Sequence, residues 1–199
     1  KEGVNVCVLA MGRGGPAQPQ VIKGGDIDIT PEFLLNLSQK GLHASSDYLE
    51  DALMSRITTV GCRRCGGGFG GKIFLTNLEE GLQEVEKIGP DLVIIEGSGA
   101  SVPDVATDAV ICVIGAYQDW DSIIGYLGLY RIMKADMVII TMGEPPLASR
   151  AQVEFIKERV SFFNPEAKVF TSVFRPKPLK DISGKKVFVA MTAKHRIED

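Results

Sequence analysis

Cys62-Arg63-Arg64-Cys65-Gly66-Gly67-Gly68 is the densest run of residues able to do chemistry. Adjacent arginines repel each other unless they are solvated or face anions, and a guanidinium matches phosphate oxygens two at a time. The neighbouring glycines can turn backbone N–H groups toward the same anion. Arg63, Arg64, Gly66 and Gly67 therefore form a candidate polyanion site. A zinc site, a redox pair at Cys62 and Cys65, and a plain surface loop are the competing readings. Zinc needs four ligands, and one Cys-x-x-Cys with His43 and His195 far apart supplies them poorly.

Four further segments carry candidates. Met11-Gly12-Arg13-Gly14-Gly15-Pro16 is a glycine-rich turn suited to phosphate, with Arg13 as its charge. It lacks the Lys-Ser/Thr of a Walker A motif. Asp91 to Glu96 is an apolar run ending in a carboxylate, followed by Gly97-Ser98-Gly99. A carboxylate at the end of such a strand can hold Mg²⁺ beside nucleotide phosphates, so Glu96 is the metal candidate and Gly97 and Ser98 line the same turn. His43-Ala44-Ser45-Ser46-Asp47 reads as the cap of a helix, with His43 also able to contact a phosphate or move a proton. Thr141 to Pro146 and Phe174 to Leu179 are two later proline-bearing loops.

These segments need a scaffold that brings loop ends together. Val4 to Ala10, Asp91 to Ile95, Ala109 to Ile114, Asp136 to Thr141, Lys168 to Val173 and Lys185 to Met191 read as strands. They are continuous apolar runs, which predicts burial on both faces. Helices are predicted from Thr30-Pro31, where threonine caps and proline takes the first turn, and from Ser45 or Ser46 through Leu53. Further helices are predicted over Asn77 to Ile88, Asp119 to Met133 and Ser149 to Phe162. Strands alternating with helices imply an α/β fold, a mostly parallel sheet with helices on both faces, in one domain over residues 1–199. Ligands then bind at the carboxyl ends of the strands, where the candidate segments fall.

The chain has 199 residues, 45% apolar and 24% charged, with a net charge of −3. That composition fits one globular domain and argues against whole-surface nucleic-acid binding. No run is long enough to cross a bilayer and no leader opens the chain, so a cytoplasmic protein is expected, with neither nucleic-acid nor membrane partners. The four cysteines are read as reduced: Cys7 and Cys112 lie in apolar runs and a disulfide framework is not expected. The first residue is Lys1, and Lys1-Glu2-Gly3 reads as the end of a helix running into a strand, as if the chain starts inside a larger protein. A homodimer is the default expectation for a cytoplasmic protein of this kind.

Taken together, GRGGP, HASSDYLEDAL, TTVGCRRCGGG, VIIEGSG, GYLGLYRI and FRPKPL resemble the cyclic 2,3-diphosphoglycerate synthetases over essentially the whole chain. The motif VIIEGSG alone also occurs in P-loop ligases similar to dethiobiotin synthetase. The resemblance implies a P-loop NTPase-like, dethiobiotin-synthetase-like fold, ATP and Mg²⁺, and closure of 2,3-diphosphoglycerate into a cyclic pyrophosphate with release of ADP and phosphate. It implies a nucleotide-base site at Thr141, Glu144, Phe174, Arg175 and Pro176. Arg13, Arg63, Arg64 and Glu96 are the catalytic candidates, and Gly12, Gly14, His43, Ser45, Ser46, Asp47, Gly66, Gly67, Gly97 and Ser98 the phosphate and substrate contacts. A glycine-rich lid over residues 66–71 would shield the anhydride from water. Members of that family carry a Walker A-like segment and another domain upstream; without them the chain is expected to bind ATP poorly and not to turn over. The alternatives are another ATP-dependent ligase or small-molecule kinase on the same scaffold, and a nucleotide- or metal-binding regulatory module.

Overall fold

A computed structural model describes residues 3–12, 15–25, 28, 30–42, 47–66, 73–97, 102–174 and 181–188. The chain divides into two compact units, residues 1–106 and 107–199.

In the first unit, β1 (Val6–Gly12) lies between β3 (Thr58–Gly66) and β5 (Leu92–Glu96), parallel to both. Two short strands, β2 (Gln20–Ile22) and β4 (Ile73–Thr76), pair antiparallel with β3. Alternation along β1 sends Cys7, Leu9 and Met11 into one core with Val60, Cys62, Leu78 and Val85, under α3 (Leu78–Ile88). Val8 and Ala10 point the other way, onto Tyr48, Leu49 and Ala52 of α2 (Asp47–Ser55). The helix α1 (Pro31–Gln39) joins that second core through Phe33, Leu34 and Leu37. It begins as predicted, with Thr30 Oγ1 accepting the Phe33 N–H at 3.2 Å and Pro31 in the first turn.

The second unit is a three-stranded parallel sheet in the order β6 (Ile111–Gly115), β7 (Met137–Thr141), β8 (Lys168–Thr171). Its helices α4 (Trp120–Ile124), α5 (Gly128–Lys134) and α6 (Arg150–Phe163) meet Ile114, Val138 and Ile140 in a single core, so they cover the same face of the sheet. The Asn164 side chain ties α5 to the turn before β8. It donates to the carbonyls of Ile132 and Ala135, both at 2.8 Å, and accepts from the Ala167 N–H.

Four expectations need correction. The stretch 119–133 is two helices: Tyr126 adopts φ 51°, and the chain folds back so closely that a Cβ on Gly128 would lie 1.8 Å from the Ile123 carbonyl oxygen. Residues 185–188 form no strand; they follow a turn at Gly184 (φ 69°) and leave Val187 and Phe188 exposed, while 189–191 lie outside the described residues. Residues 58–66, where no strand was expected, are a strand, because Thr58, Thr59 and Val60 favour extended backbone and pair with β1. The strands are also not all buried on both faces. Ile111, Val113 and Phe170 point away from the helices of their unit and are half exposed or more, and Leu92 and Ile94 of β5 are likewise exposed.

Candidate functional site

The carboxyl ends of β3, β1 and β5 lie side by side in the first unit. Register places Gly12 opposite Arg63 and Ala10 opposite Glu96. Two interstrand spacings and a two-residue offset along the strands separate Arg63 from Glu96, about 12 Å between backbones, a span suited to a small polyanion. Gly97 continues β5 tightly against β1: a Cβ there would lie 2.7 Å from Met11 Cε and 3.2 Å from the Met11 carbonyl oxygen. Glu96 is half-buried at this junction.

The two arginines take different partners, as alternation along a strand requires. The Arg63 Nε donates to the Gly15 carbonyl at 2.5 Å, and its side chain lines a cavity of about 210 Å³ with Ala17, Gln18, Leu75, Thr76, Asn77 and Glu80. Arg64 is buried, with Nε 3.6 Å from an Asp104 carboxylate oxygen. Gly15 is seated against β3, where a Cβ would lie 1.9 Å from the Cys62 carbonyl oxygen.

Cys62 is a core residue. Its thiol lies under α3, where a Cβ on Gly81 would come within 2.2 Å of the sulfur. Burial, helped by the Glu80 carboxylate, pushes the thiol up to about 12, so it is no nucleophile or ready metal ligand near neutral pH. Burial raises Cys7 and Cys112 too, although the Arg131 cation lowers Cys112 in part. Among the described residues no group of three His, Cys, Asp or Glu side chains gathers as a metal cage.

In the second unit, Thr141 ends β7 and its hydroxyl donates to the Ile114 carbonyl at 3.2 Å. Met142 follows at φ 56°, and Gly143 closes onto β8 by donating to the Ser172 carbonyl at 3.0 Å. The Glu144 carbonyl accepts from Leu147 and Ala148, so the loop is internally bonded. Thr141, Glu144 and Phe174 thus belong to loops leaving neighbouring strands β7 and β8, with Phe174 half exposed. Gln118, after β6, turns its Oε1 back to accept the Gly115 N–H.

Asp47 opens α2, Gly66 ends β3 at a register shift between Cys65 and Gly66, and Gly12 ends β1. Arg13, Gly14, His43, Ser45, Ser46, Gly67, Ser98, Arg175 and Pro176 lie outside the described residues, as do 67–71 of the expected lid.

The chain matches the P-loop domain of cyclic 2,3-diphosphoglycerate synthetase over residues 1–173. The chain belongs to that family. It is 51% identical over 195 residues to the cyclic 2,3-diphosphoglycerate synthetase of Methanothermobacter thermautotrophicus, covering 98% of this chain and 42% of the relative. With the synthetase of Methanothermus fervidus it shares 49% over 193 residues, 97% of this chain and 42% of the relative. The synthetase of Thermococcus kodakarensis is 46% identical, over 97% of this chain and 44% of the relative. The chain therefore spans less than half the length of these curated relatives. Among solved structures, the hydrogenase maturation factor HypB from Archaeoglobus fulgidus is similar at 13% identity and a TM-score of 0.45, covering 86% of this chain and 68% of that one. The fold of the family is the P-loop type of α/β architecture, with a mostly parallel arrangement of strands. Among the described residues no helix is long and apolar enough to cross a membrane.

Sequence reasoning passed over two residues at this site. Asn77 was read only as a helix start, yet its amide binds both β3 and the loop after β1. Asp104 gave no signal, because its meeting with Arg64 is a long-range contact that no local pattern encodes.

Proposed function

We propose that this chain is the catalytic P-loop domain of a cytoplasmic cyclic 2,3-diphosphoglycerate synthetase, its two units acting as one domain in the full-length enzyme. The observation that supports it most directly is the convergence of Gly12, Arg63 and Glu96 at adjacent strand ends in a chain of this family. ATP gives its γ-phosphoryl group to one phosphate of 2,3-diphosphoglycerate. An oxygen of the other phosphate then attacks the phosphorus of the activated one, the bond to the terminal phosphate breaks, and inorganic phosphate leaves as the ring closes. ADP is the other product.

The substrate carries roughly five negative charges near neutral pH, so binding and alignment demand cations more than a covalent nucleophile. Arg63, bonded to the loop after β1 through Nε, keeps its terminal N–H groups for a phosphate. Arg13 is proposed beside it and Arg64, which leaves the opposite face of β3, as a further cation of the site, with Gly12, Gly14, Gly66, Gly67, Gly97, Ser98, His43, Ser45, Ser46 and Asp47 as phosphate contacts. Thr141, Glu144, Phe174, Arg175 and Pro176 are proposed for the base. The single carboxylate of Glu96 suits Mg²⁺, which takes one or two protein carboxylates and completes its shell with phosphate oxygens and water. When bound there, Mg²⁺ neutralises developing phosphate charge.

Phosphorus NMR of the full-length enzyme with ATP, Mg²⁺ and 2,3-diphosphoglycerate tests this reading. New pyrophosphate signals in the carbon product, with ADP and phosphate released, are expected. Nucleotide binding without that product would discard the substrate and leave another P-loop ligase or kinase.

A further inference from the structure

Asn77 stands at a crossing of three elements: the end of β4, the start of α3 and the loop after β1. Its side chain is almost fully buried at 7% exposure. Its Oδ1 accepts the Arg63 N–H at 2.6 Å, and its own N–H donates to the Arg63 carbonyl at 3.1 Å. Its Nδ2 donates to the carbonyls of Pro16 at 3.0 Å and Ala17 at 3.2 Å. The amide thus satisfies one acceptor and two donor bonds with no side-chain partner. An asparagine that only capped α3 would bond the helix N–H groups with its side chain, and this one makes no such bond.

Arg63 returns to the same loop from the other end, donating from Nε to the Gly15 carbonyl. The loop that leaves β1 at Gly12 is therefore clamped to β3 by two bonds from Asn77 and one from Arg63, while Asn77 also holds the Arg63 backbone. We propose that Asn77 is a positioning residue: it sets the loop after β1 and the Arg63 guanidinium in one fixed relation, and so controls binding of the diphosphoglycerate phosphates. This rests on the function proposed above. Asn77 itself touches no reacting atom; it acts through Arg63 and the loop. An amide is needed because the position must accept on one side and donate to two carbonyls on the other; a carboxylate donates none at neutral pH and a hydroxyl has a single donor.

Asn77→Asp in the full-length enzyme separates the two bonds. The carboxylate still accepts from Arg63 but presents oxygen to the Pro16 and Ala17 carbonyls. The expected result is a KM for 2,3-diphosphoglycerate raised about tenfold, the scale set by two lost hydrogen bonds, with the KM for ATP within about twofold of wild type. Relative to wild type at each pH, the defect should shrink in acid, where the protonated carboxyl recovers a donor. Asn77→Ala should show the same KM split without acid recovery. Unchanged KM values, or both KM values rising together with a fall in Tm, overturn the inference. If wild-type enzyme makes no cyclic product, the proposed function fails; Asn77 is then judged by calorimetry with 2,3-diphosphoglycerate, and undiminished binding by Asn77→Asp overturns it.

Discussion

Replacing Asp104 by alanine tests what holds Arg64 in the first unit. The Arg64 side chain is 5% exposed and that of Asp104 18%, with 3.6 Å between Nε and the carboxylate oxygen. At that separation the attraction is about 5 kcal/mol for an effective dielectric near 20. Removing one partner of a buried pair costs about 3–5 kcal/mol, because the remaining charge loses its compensation. The distance is long for a charge-assisted bond and Asp104 keeps some contact with water, which brings the expected loss to about 2 kcal/mol. For a chain of this size that is a fall in Tm of about 4–8 °C, readable by calorimetry. Arg64→Met with Asp104→Leu should recover most of it, since a well-packed apolar pair can replace a buried ion pair. In the full-length enzyme, Asp104→Ala should keep turnover within a few fold. The Met/Leu double variant should lose it by about 10³, the scale of one charge-stabilising donor. An unchanged Tm for Asp104→Ala would refute the ion pair, and full activity in the double variant would remove Arg64 from phosphate binding.

Three other perturbations follow from the packing. A Cβ at Gly61 would sit 2.5 Å from the Tyr48 ring, about 1 Å inside carbon contact distance, so Gly61→Ala should cost about 1–3 kcal/mol in denaturant unfolding. Asn164→Ala leaves the Ile132 and Ala135 carbonyls without their donor and should destabilise by about 1–3 kcal/mol, seen as a lower Tm. The Cys62 thiol, raised by burial from 9.0 to about 12, stays protonated in the folded chain while the unfolded chain ionises from about pH 9. Its contribution is therefore full below pH 9 and is lost as pH rises toward 12, by about 1.4 kcal/mol per pH unit. Cys62→Ala should flatten that alkaline slope in pH-dependent denaturation.

Much of the scaffold was legible because it is written locally. Thr30-Pro31 marks a helix start by cap chemistry, the Val/Ile runs before Glu96 and Thr141 mark strand ends, and α6 shows Val153, Ile156 and Val160 at helical spacing. Strand β3 was hidden because Gly61 and the arginines interrupt its apolar alternation, and its extended form depends on pairing with β1. The break between α4 and α5 was hidden because Tyr126 takes a left-handed backbone that its residue type does not announce. At the site, Glu96 could be placed from its strand end alone, whereas the place of Arg63 depends on β3. The separate destinations of Arg63 and Arg64 depend on Gly15 and Asp104, neither of which lies near them in sequence.

The open face of the second unit has a colloidal consequence. Ile111, Val113 and Phe170 present a greasy patch on β-strands, in a sheet whose outer strands β6 and β8 pair on one side each among the described residues. A chain bearing that patch gains free energy by meeting its own kind. Its solubility is then set by how fast copies collide rather than by how stably each one folds, and salts that strengthen apolar association shorten its time in solution.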